Sequence, residues 1–111
     1  MSEIRVVLVT APSQEEGERL ARSLVSERLA ACGNVIPRVE SVYWWEGEVQ
    51  QDSEVLLILK TTAGRVDTLV RRVKDLHSYD VPEALALPVR EGLEEYMDWV
   101  AKECMGDSTE G

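Results

Sequence analysis

Few side chains in this sequence could take part in metal or acid–base chemistry, and three of them lie close together. His77 is the single histidine, and Tyr79 and Glu83 follow it within six positions. A histidine and a carboxylate are ligand types that suit Cu(II) or Zn(II), but two ligands do not fill a coordination sphere. His77 and Glu83 are therefore candidate metal ligands whose site needs a second chain, which could add Glu46, Glu48 or a backbone carbonyl.

Each of these candidates also has a structural alternative. His77 follows a predicted helix, where it can hydrogen-bond the last carbonyl groups. Glu83 begins a predicted strand, where backbone amides or a lysine can satisfy it. Lys60 ends an apolar strand and must be paired if it is buried, with a carboxylate such as Glu83 in the same sheet or across an interface. The alternative for Lys60 is a ligand cleft that it would line together with Tyr79 and Trp45.

Aromatic residues cluster at one point of the chain. Tyr43, Trp44 and Trp45 resemble an aromatic cage, but at the tip of a hairpin such residues are more often the anchors of an interface. We therefore predict that these three residues pack between subunits.

A long antiparallel hairpin is predicted to present this aromatic tip. Two runs rich in β-branched and aromatic residues, 32–45 and 48–61, flank the turn signal Glu46-Gly47. At about 3.3 Å per residue each arm would exceed about 35 Å, roughly twice the usual strand length. The remaining strands are too short to pair with it throughout, so another copy of the chain is the expected partner. The apolar run 55–59 does not alternate, which predicts burial on both faces.

The other elements are placed by their periodicity and end signals. A strand (4–10) precedes a Ser13–Glu16 capping box and a helix expected to end near 30–34, where glycine and asparagine favour a stop. A second helix (66–76), a fourth strand (83–89) and a third helix opening at Gly92 follow. This order predicts an α+β, ferredoxin-like split βαβ sandwich with a long central hairpin and an extra C-terminal helix. One domain is expected over residues 1–105, with a flexible tail at 106–111.

Composition excludes several classes of protein. The net charge of −9, with 21 acidic and 12 basic residues among 111, opposes binding to nucleic acid or an anionic membrane. The two cysteines form neither a metal-binding spacing nor a disulfide framework. We expect Cys32 to be a small buried residue and Cys104 to be exposed. No signal segment or membrane span is indicated, so we expect a cytoplasmic protein.

No pattern of catalytic residues is evident. The seven glycines are scattered rather than gathered in a phosphate loop, and no Ser-His-Asp or Cys-His arrangement is suggested by spacing. We therefore expect a protein that is not an enzyme.

Five motifs resemble those of the CutA family of divalent-cation tolerance proteins, over residues 4 to about 101. They are Arg28-Leu29-Ala30-Ala31-Cys32, Ser41-x-Tyr43-x-Trp45-Glu46-Gly47, Leu59-Lys60-Thr61-Thr62, His77-x-Tyr79-x-Val81-Pro82-Glu83 and Tyr96-x-x-Trp99. The resemblance implies a cytoplasmic homotrimer of ferredoxin-like subunits, linked to tolerance of copper and other divalent metals, with no established reaction. Its fold and trimeric form are similar to those of the PII signalling proteins.

The chain departs from this family pattern at two places. Ser78 stands where the family usually has proline, which predicts a looser turn. Val9 lies where some members place a cysteine, which excludes a thiolate ligand there.

The sequence thus predicts a homotrimer that binds Cu(II) or another divalent cation weakly at clefts between subunits. The alternative is a PII-like signalling or scaffolding module that binds a small ligand or a protein partner.

Overall fold

The structure is a computed structural model that describes residues 3–105. Its strands and helices are β1 (Ile4–Ala11), α1 (Gln14–Ser26), β2 (Cys32–Trp45), β3 (Glu48–Thr62), α2 (Val66–Leu76), β4 (Leu85–Pro88) and α3 (Glu94–Met105), with a 3-10 turn at Ala63–Arg65 before α2. The tail expected at 106–111 lies outside the described residues.

The four strands form one antiparallel sheet in the order β2-β3-β1-β4. The two central strands, β1 and β3, are separated in the chain by α1 and β2. This arrangement, with a helix after β1 and another after β3, confirms the predicted ferredoxin-like α+β fold.

One face of the sheet packs against α1 and α2. Alternate residues of β1 and β3, among them Val7, Val9, Leu57 and Leu59, are fully buried against apolar residues of the two helices. The helix residues in this core are those that the helical periodicity predicts, since residues spaced by three and four positions line one side of a helix.

The opposite face of the sheet, which we call the open face, is apolar but only partly covered. The apolar residues that alternate with the core positions and share one register across the strands are Val6, Leu8, Ile36, Leu56, Ile58, Leu85 and Leu87. Leu85 and Leu87 are 57% and 48% exposed. Within one chain, residues 55–59 therefore alternate between buried and half-buried side chains. The predicted burial on both faces would require another chain to pack on the open face.

The long hairpin has the predicted turn. Glu46 and Gly47 have φ values of 50° and 81°, the left-handed conformation of both central residues in a type I′ turn, which matches the twist of the flanking strands. A register shift between Ile36 and Val39 falls at Pro37, which has no N–H to donate to a ladder. Beyond this bulge, the hairpin extends away from β1, whose pairing with β3 begins only at Val55.

Three predicted boundaries are wrong. Helix α1 ends at Ser26, before the expected 30–34, because Arg28 adopts a φ of 63° and the amides of Leu29 and Ala30 both turn back to the carbonyl of Leu24. The glycine and asparagine at 33–34 lie in β2 instead. β4 is four residues long, and α3 begins two residues after Gly92.

No helix within residues 3–105 combines the length and the apolar character needed to cross a membrane.

Gly17 lets α1 approach the sheet closely. A Cβ added there would lie 2.7 Å from Cγ2 of the buried Val55. Gly17→Ala should therefore lower the free energy of unfolding by about 1–3 kcal/mol, although the helix propensity of alanine alone would raise it by about 1 kcal/mol. Gly64→Ala is the matched control, since an added Cβ meets nothing within 4 Å. Urea unfolding at one protein concentration measures both, and a stabilised Gly17→Ala protein would contradict the close packing.

Candidate functional site

A cleft of about 620 Å³ lies where the hairpin leaves the sheet and faces the loop of residues 77–83. Its walls include Tyr43, Trp45, Glu54, Tyr79, Asp80 and Glu83. The expected cleft residues Tyr79 and Trp45 therefore do lie together, and Glu83 joins them. The register of β4 on β1 explains why these residues meet. Leu85 lies opposite Leu8, so the residues that precede Leu85, including Glu83, lie beside the end of β1 near Thr10, which also lines the cleft.

The cleft is acidic. The Tyr79 hydroxyl donates to Glu54 Oε2 at 2.7 Å, and the Tyr43 hydroxyl donates to Asp52. Burial together with the Glu54 carboxylate raises the pKa of Tyr79, and burial with repulsion from Glu54 also raises the pKa of Glu83. Negative charge thus accumulates here, and neither Glu54 nor Glu83 forms an ion pair among residues 3–105, so the cleft favours a positively charged occupant.

Glu54 is a cleft residue that sequence analysis missed, as is Asp80. Glu54 is 9% exposed, although it is a carboxylate with no ion pair among the described residues. The available signal was its position directly before the apolar run 55–59, where a strand alternation places it beside Leu56 on the open face.

His77 lies behind the cleft rather than in it. Its Nε2 is 2.7 Å from the carbonyl oxygen of Thr10, and its Nδ1 accepts the backbone N–H of Tyr79 at 3.0 Å. Because a carbonyl oxygen can only accept, Nε2 carries a hydrogen, and Nδ1 is the acceptor for Tyr79. Both nitrogens are then occupied, and the side chain is fully buried. A metal at His77 would have to displace one of these hydrogen bonds.

Glu16 fixes the start of the 77–83 loop. Its Oε2 accepts the backbone N–H of Ser78 at 2.9 Å, and its Oε1 accepts the Ser78 hydroxyl at 2.8 Å. Burial opposes its ionisation, but these two hydrogen bonds and the nearby His77 and Arg19 outweigh burial and lower the pKa of Glu16. The predicted capping box is therefore only half formed: Ser13 Oγ accepts the N–H of Glu16, while the Glu16 side chain serves the loop.

The expected loosening of the turn at Ser78 is wrong for the same reason. Proline would restrict φ but has no N–H, whereas Ser78 supplies two donors to one buried carboxylate. Two hydrogen bonds thus replace the stiffness of a ring.

Lys60 does not line this cleft, and it does not pair with Glu83 in the same sheet. It lies opposite Cys32 in the register of β2 and β3, and its amino group contacts Asn34 Oδ1 and, at 4.0 Å, Cys32 Sγ. Lys60 and Glu54 are six positions apart on β3, which corresponds to about 20 Å.

The aromatic tip is exposed in the single chain. Trp44 and Trp45 are 74% and 58% exposed, and Tyr43 and Trp45 border the cleft while Trp44 lies opposite Val49. Their packing between subunits stays a prediction.

The two cysteines differ from expectation. Cys32 is half-buried rather than fully buried, and Cys104 is buried rather than exposed. Helix α3 docks through Cys104, whose sulfur lies 3.6 Å from Thr61 Oγ1, so its position close to the end of the helix does not leave it in solvent.

The residues present do not form a metal site within one chain. Among residues 3–105, no group of three or more histidine, cysteine or acidic side chains is placed to hold an ion. Glu54 and Glu83 could hold a divalent cation with oxygen ligands, but further ligands must come from solvent or a second chain.

Fold and cleft together define a class of protein: a small ferredoxin-like α+β domain with a hairpin longer than its own sheet and an acidic cleft at the hairpin's base. Comparisons with known proteins identify the family. The profile of the family described as CutA1 divalent ion tolerance protein matches residues 5–103, and the chain belongs to this family.

Two relatives and their structures illustrate the similarity. The chain is 55% identical to a chloroplastic CutA 1 protein of rice over 95 residues, which are 86% of this chain and 54% of the rice protein. It is 53% identical to the divalent-cation tolerance protein CutA of Thermus thermophilus, covering 86% of this chain and 92% of that one. The crystal structure of CutA1 from rice gives a TM-score of 0.90 at 51% identity, over 92% of this chain and 94% of the other. The Thermus structure gives 0.88 at 50% identity, over 90% and 97%.

These names describe tolerance proteins and not enzymes. The absence of catalysis and the cytoplasmic location stay predictions.

Loss of the Ser78 hydrogen bonds should destabilise the protein in two steps. Ser78→Ala removes one donor and should cost about 1 kcal/mol, and Ser78→Pro removes both and should cost about 2–3 kcal/mol, because the buried carboxylate is left short of partners. Unfolding in urea at pH 7 measures both variants.

The loss of unfolding free energy in Ser78→Ala should also depend on pH. Because the folded pKa of Glu16 is lowered from its ordinary value of 4.5, the stability it contributes is complete above that value and disappears as the pH falls through the folded pKa. The difference between wild type and Ser78→Ala should therefore shrink at acidic pH. A difference that stays constant from pH 7 to pH 3 would mean that the charge on Glu16 is not involved.

Proposed function

We propose that this CutA1 family member acts as a homotrimer that binds copper or another divalent cation weakly, in clefts that neighbouring subunits complete. The observation that best supports the cation is the pair Glu54 and Glu83, two carboxylates that share a partly enclosed cleft and have no basic partner among the described residues. Cations of high charge density with a preference for oxygen or mixed ligands suit such a site.

The homotrimer is supported by three features of the single chain. The open face is apolar and partly exposed. The hairpin extends beyond the end of β1, which pairs with β3 only from Val55 onward. The outer edge of β2 has no partner strand within the sheet. A contiguous apolar face and an unpaired edge strand are both typical of surfaces that associate.

A charge placed on the open face should dissociate the assembly. Leu87→Lys puts an ammonium group among the apolar residues of that face, whereas Leu93→Lys, at a residue that is 68% exposed and lies outside the sheet, is the matched control. Light scattering coupled to size exclusion should give three chain masses for wild type and for Leu93→Lys, and a smaller mass for Leu87→Lys. A wild-type protein with the mass of one chain would contradict the trimer.

Copper titration tests the cleft. Glu83→Gln keeps the shape of the side chain and removes its charge, so copper affinity should fall by about tenfold or more, since even residues that only support a metal ligand contribute that much. Glu91→Gln, an exposed carboxylate outside the cleft, should leave the affinity unchanged.

The same titration decides the role of His77. His77→Gln should bind copper as wild type does, and electron paramagnetic resonance of the wild-type complex should show oxygen ligands without imidazole nitrogen coupling. Such coupling, or loss of binding in His77→Gln alone, would instead assign the metal to the histidine.

The PII-like alternative is favoured by the size and lining of the cleft. A volume of about 620 Å³ lies within the range of about 300–1,000 Å³ usual for small-molecule sites, and Tyr43, Trp45 and Tyr79 give it aromatic walls. An unchanged copper affinity in Glu83→Gln would favour this second function, with a small cationic ligand as occupant.

A further inference from the structure

The open face has opposite charges at its two ends. Lys60 lies at one end, half-buried, with contacts to Asn34 and Cys32. Glu54 and Glu83 lie at the other end, in the cleft. Among the described residues, none of these three side chains takes part in an ion pair.

The two ends cannot meet within one chain. Lys60 and Leu87 both lie opposite Val6 in the sheet, so Glu83, four positions before Leu87, is about 13 Å further along the strands and two strand spacings across. Glu54 is six residues from Lys60 on the same strand, or about 20 Å. An ion pair between the two ends would therefore have to join two copies of the chain.

We propose that Lys60 of one copy enters the cleft of the next copy and pairs with Glu54 and Glu83. The proposal rests on the trimer proposed above. A ring of three copies requires a heterologous contact, in which two different patches of the same surface meet. The Lys60 end and the acidic cleft are such patches, because they lie on one apolar face and have opposite charge.

This contact gives each cleft a basic side chain that one chain lacks. The ammonium group offsets the repulsion between Glu54 and Glu83, and the apolar residues between the two ends exclude water from the contact. A charge pair in such surroundings fixes which patches meet more than it adds to affinity.

Zero-length crosslinking can detect the contact directly. A water-soluble carbodiimide joins a lysine amine to a carboxylate as an amide, and the carbodiimide takes up the released water as its urea. The chain has three lysines, Lys60, Lys74 and Lys102, so the products are few. We expect peptides of Lys60 linked to Glu54 or Glu83, with mixed isotope labels when ¹⁴N and ¹⁵N subunits are refolded together, because the in-chain separation is too long for a direct bond.

Two lysine variants control the crosslinking. Lys60→Met keeps an unbranched apolar side chain and should abolish the linked dimer and trimer bands, while Lys102→Met, on the exposed side of α3, should leave them.

A charge exchange provides the independent test. Lys60→Glu should raise the concentration at which the trimer dissociates by about tenfold or more, since like charges then face each other, and Glu83→Lys should act similarly. The double variant Lys60→Glu/Glu83→Lys restores opposite charges and should return the dissociation to near the wild-type value, which makes the coupling measurable as a double-mutant cycle. Circular dichroism confirms that each variant is folded.

The outcomes separate this contact from the trimer itself. Linked Lys60–Glu54 or Lys60–Glu83 peptides together with rescue in the double variant support the contact. A trimeric wild type without these peptides, or a double variant no better than Lys60→Glu, overturns the contact and leaves the trimer. A monomeric wild type overturns both.

Discussion

The unequal pairing of β3 is the constraint on which the rest of the structure depends. From Leu56 to Lys60 the strand has neighbours on both sides, β1 and β2, and Leu57 and Leu59 of this stretch lie in the core. From Glu48 to Glu54 it has β2 alone. The point where β1 stops is therefore also the point where the hairpin leaves the sheet, and the register shift between Ile36 and Val39 falls there too. The cleft exists because one strand is paired along only part of its length.

The 77–83 loop forms the second wall of the cleft, and hydrogen bonds to core elements fix its position. The 77–83 loop is attached to α1 through the Glu16 carboxylate and to β1 through the Thr10 carbonyl, and both elements belong to the core. The same short segment then directs Tyr79 forward to Glu54. A buried network on one side of the sheet thus positions a polar wall on the other side, and local rigidity at Ser78 comes from hydrogen bonds that a proline could not make.

Much of this fold could be predicted from local patterns. The Glu46-Gly47 turn, the helical stripes and the order of elements depend on neighbouring residues, and they led to the correct sheet. Glu16 shows why other features escaped: the Ser13–Glu16 spacing is a local signal for a capping box, but the partner of the carboxylate is Ser78, 62 positions away. Cys104 is a similar case, because only the docking of α3 on Thr61 determines its burial. Lys60 was expected to pair with a carboxylate such as Glu83 in the same sheet or across an interface, and only the strand register, which the sequence does not give, rules out the first.

The proposed weak binding of a metal ion would follow from the same electrostatics that attract the ion to the cleft. Two carboxylates in a cleft partly removed from water repel each other, and burial together with this repulsion raises the pKa of Glu83. Either an ammonium group or a divalent cation relieves it. If a neighbouring lysine already occupies the cleft, a metal ion must displace it and gains only the difference between the two interactions. A site of this kind would respond to a rise in cation concentration rather than retain an ion permanently, which suits a protein of a cation-tolerance family better than a site that a single chain could complete.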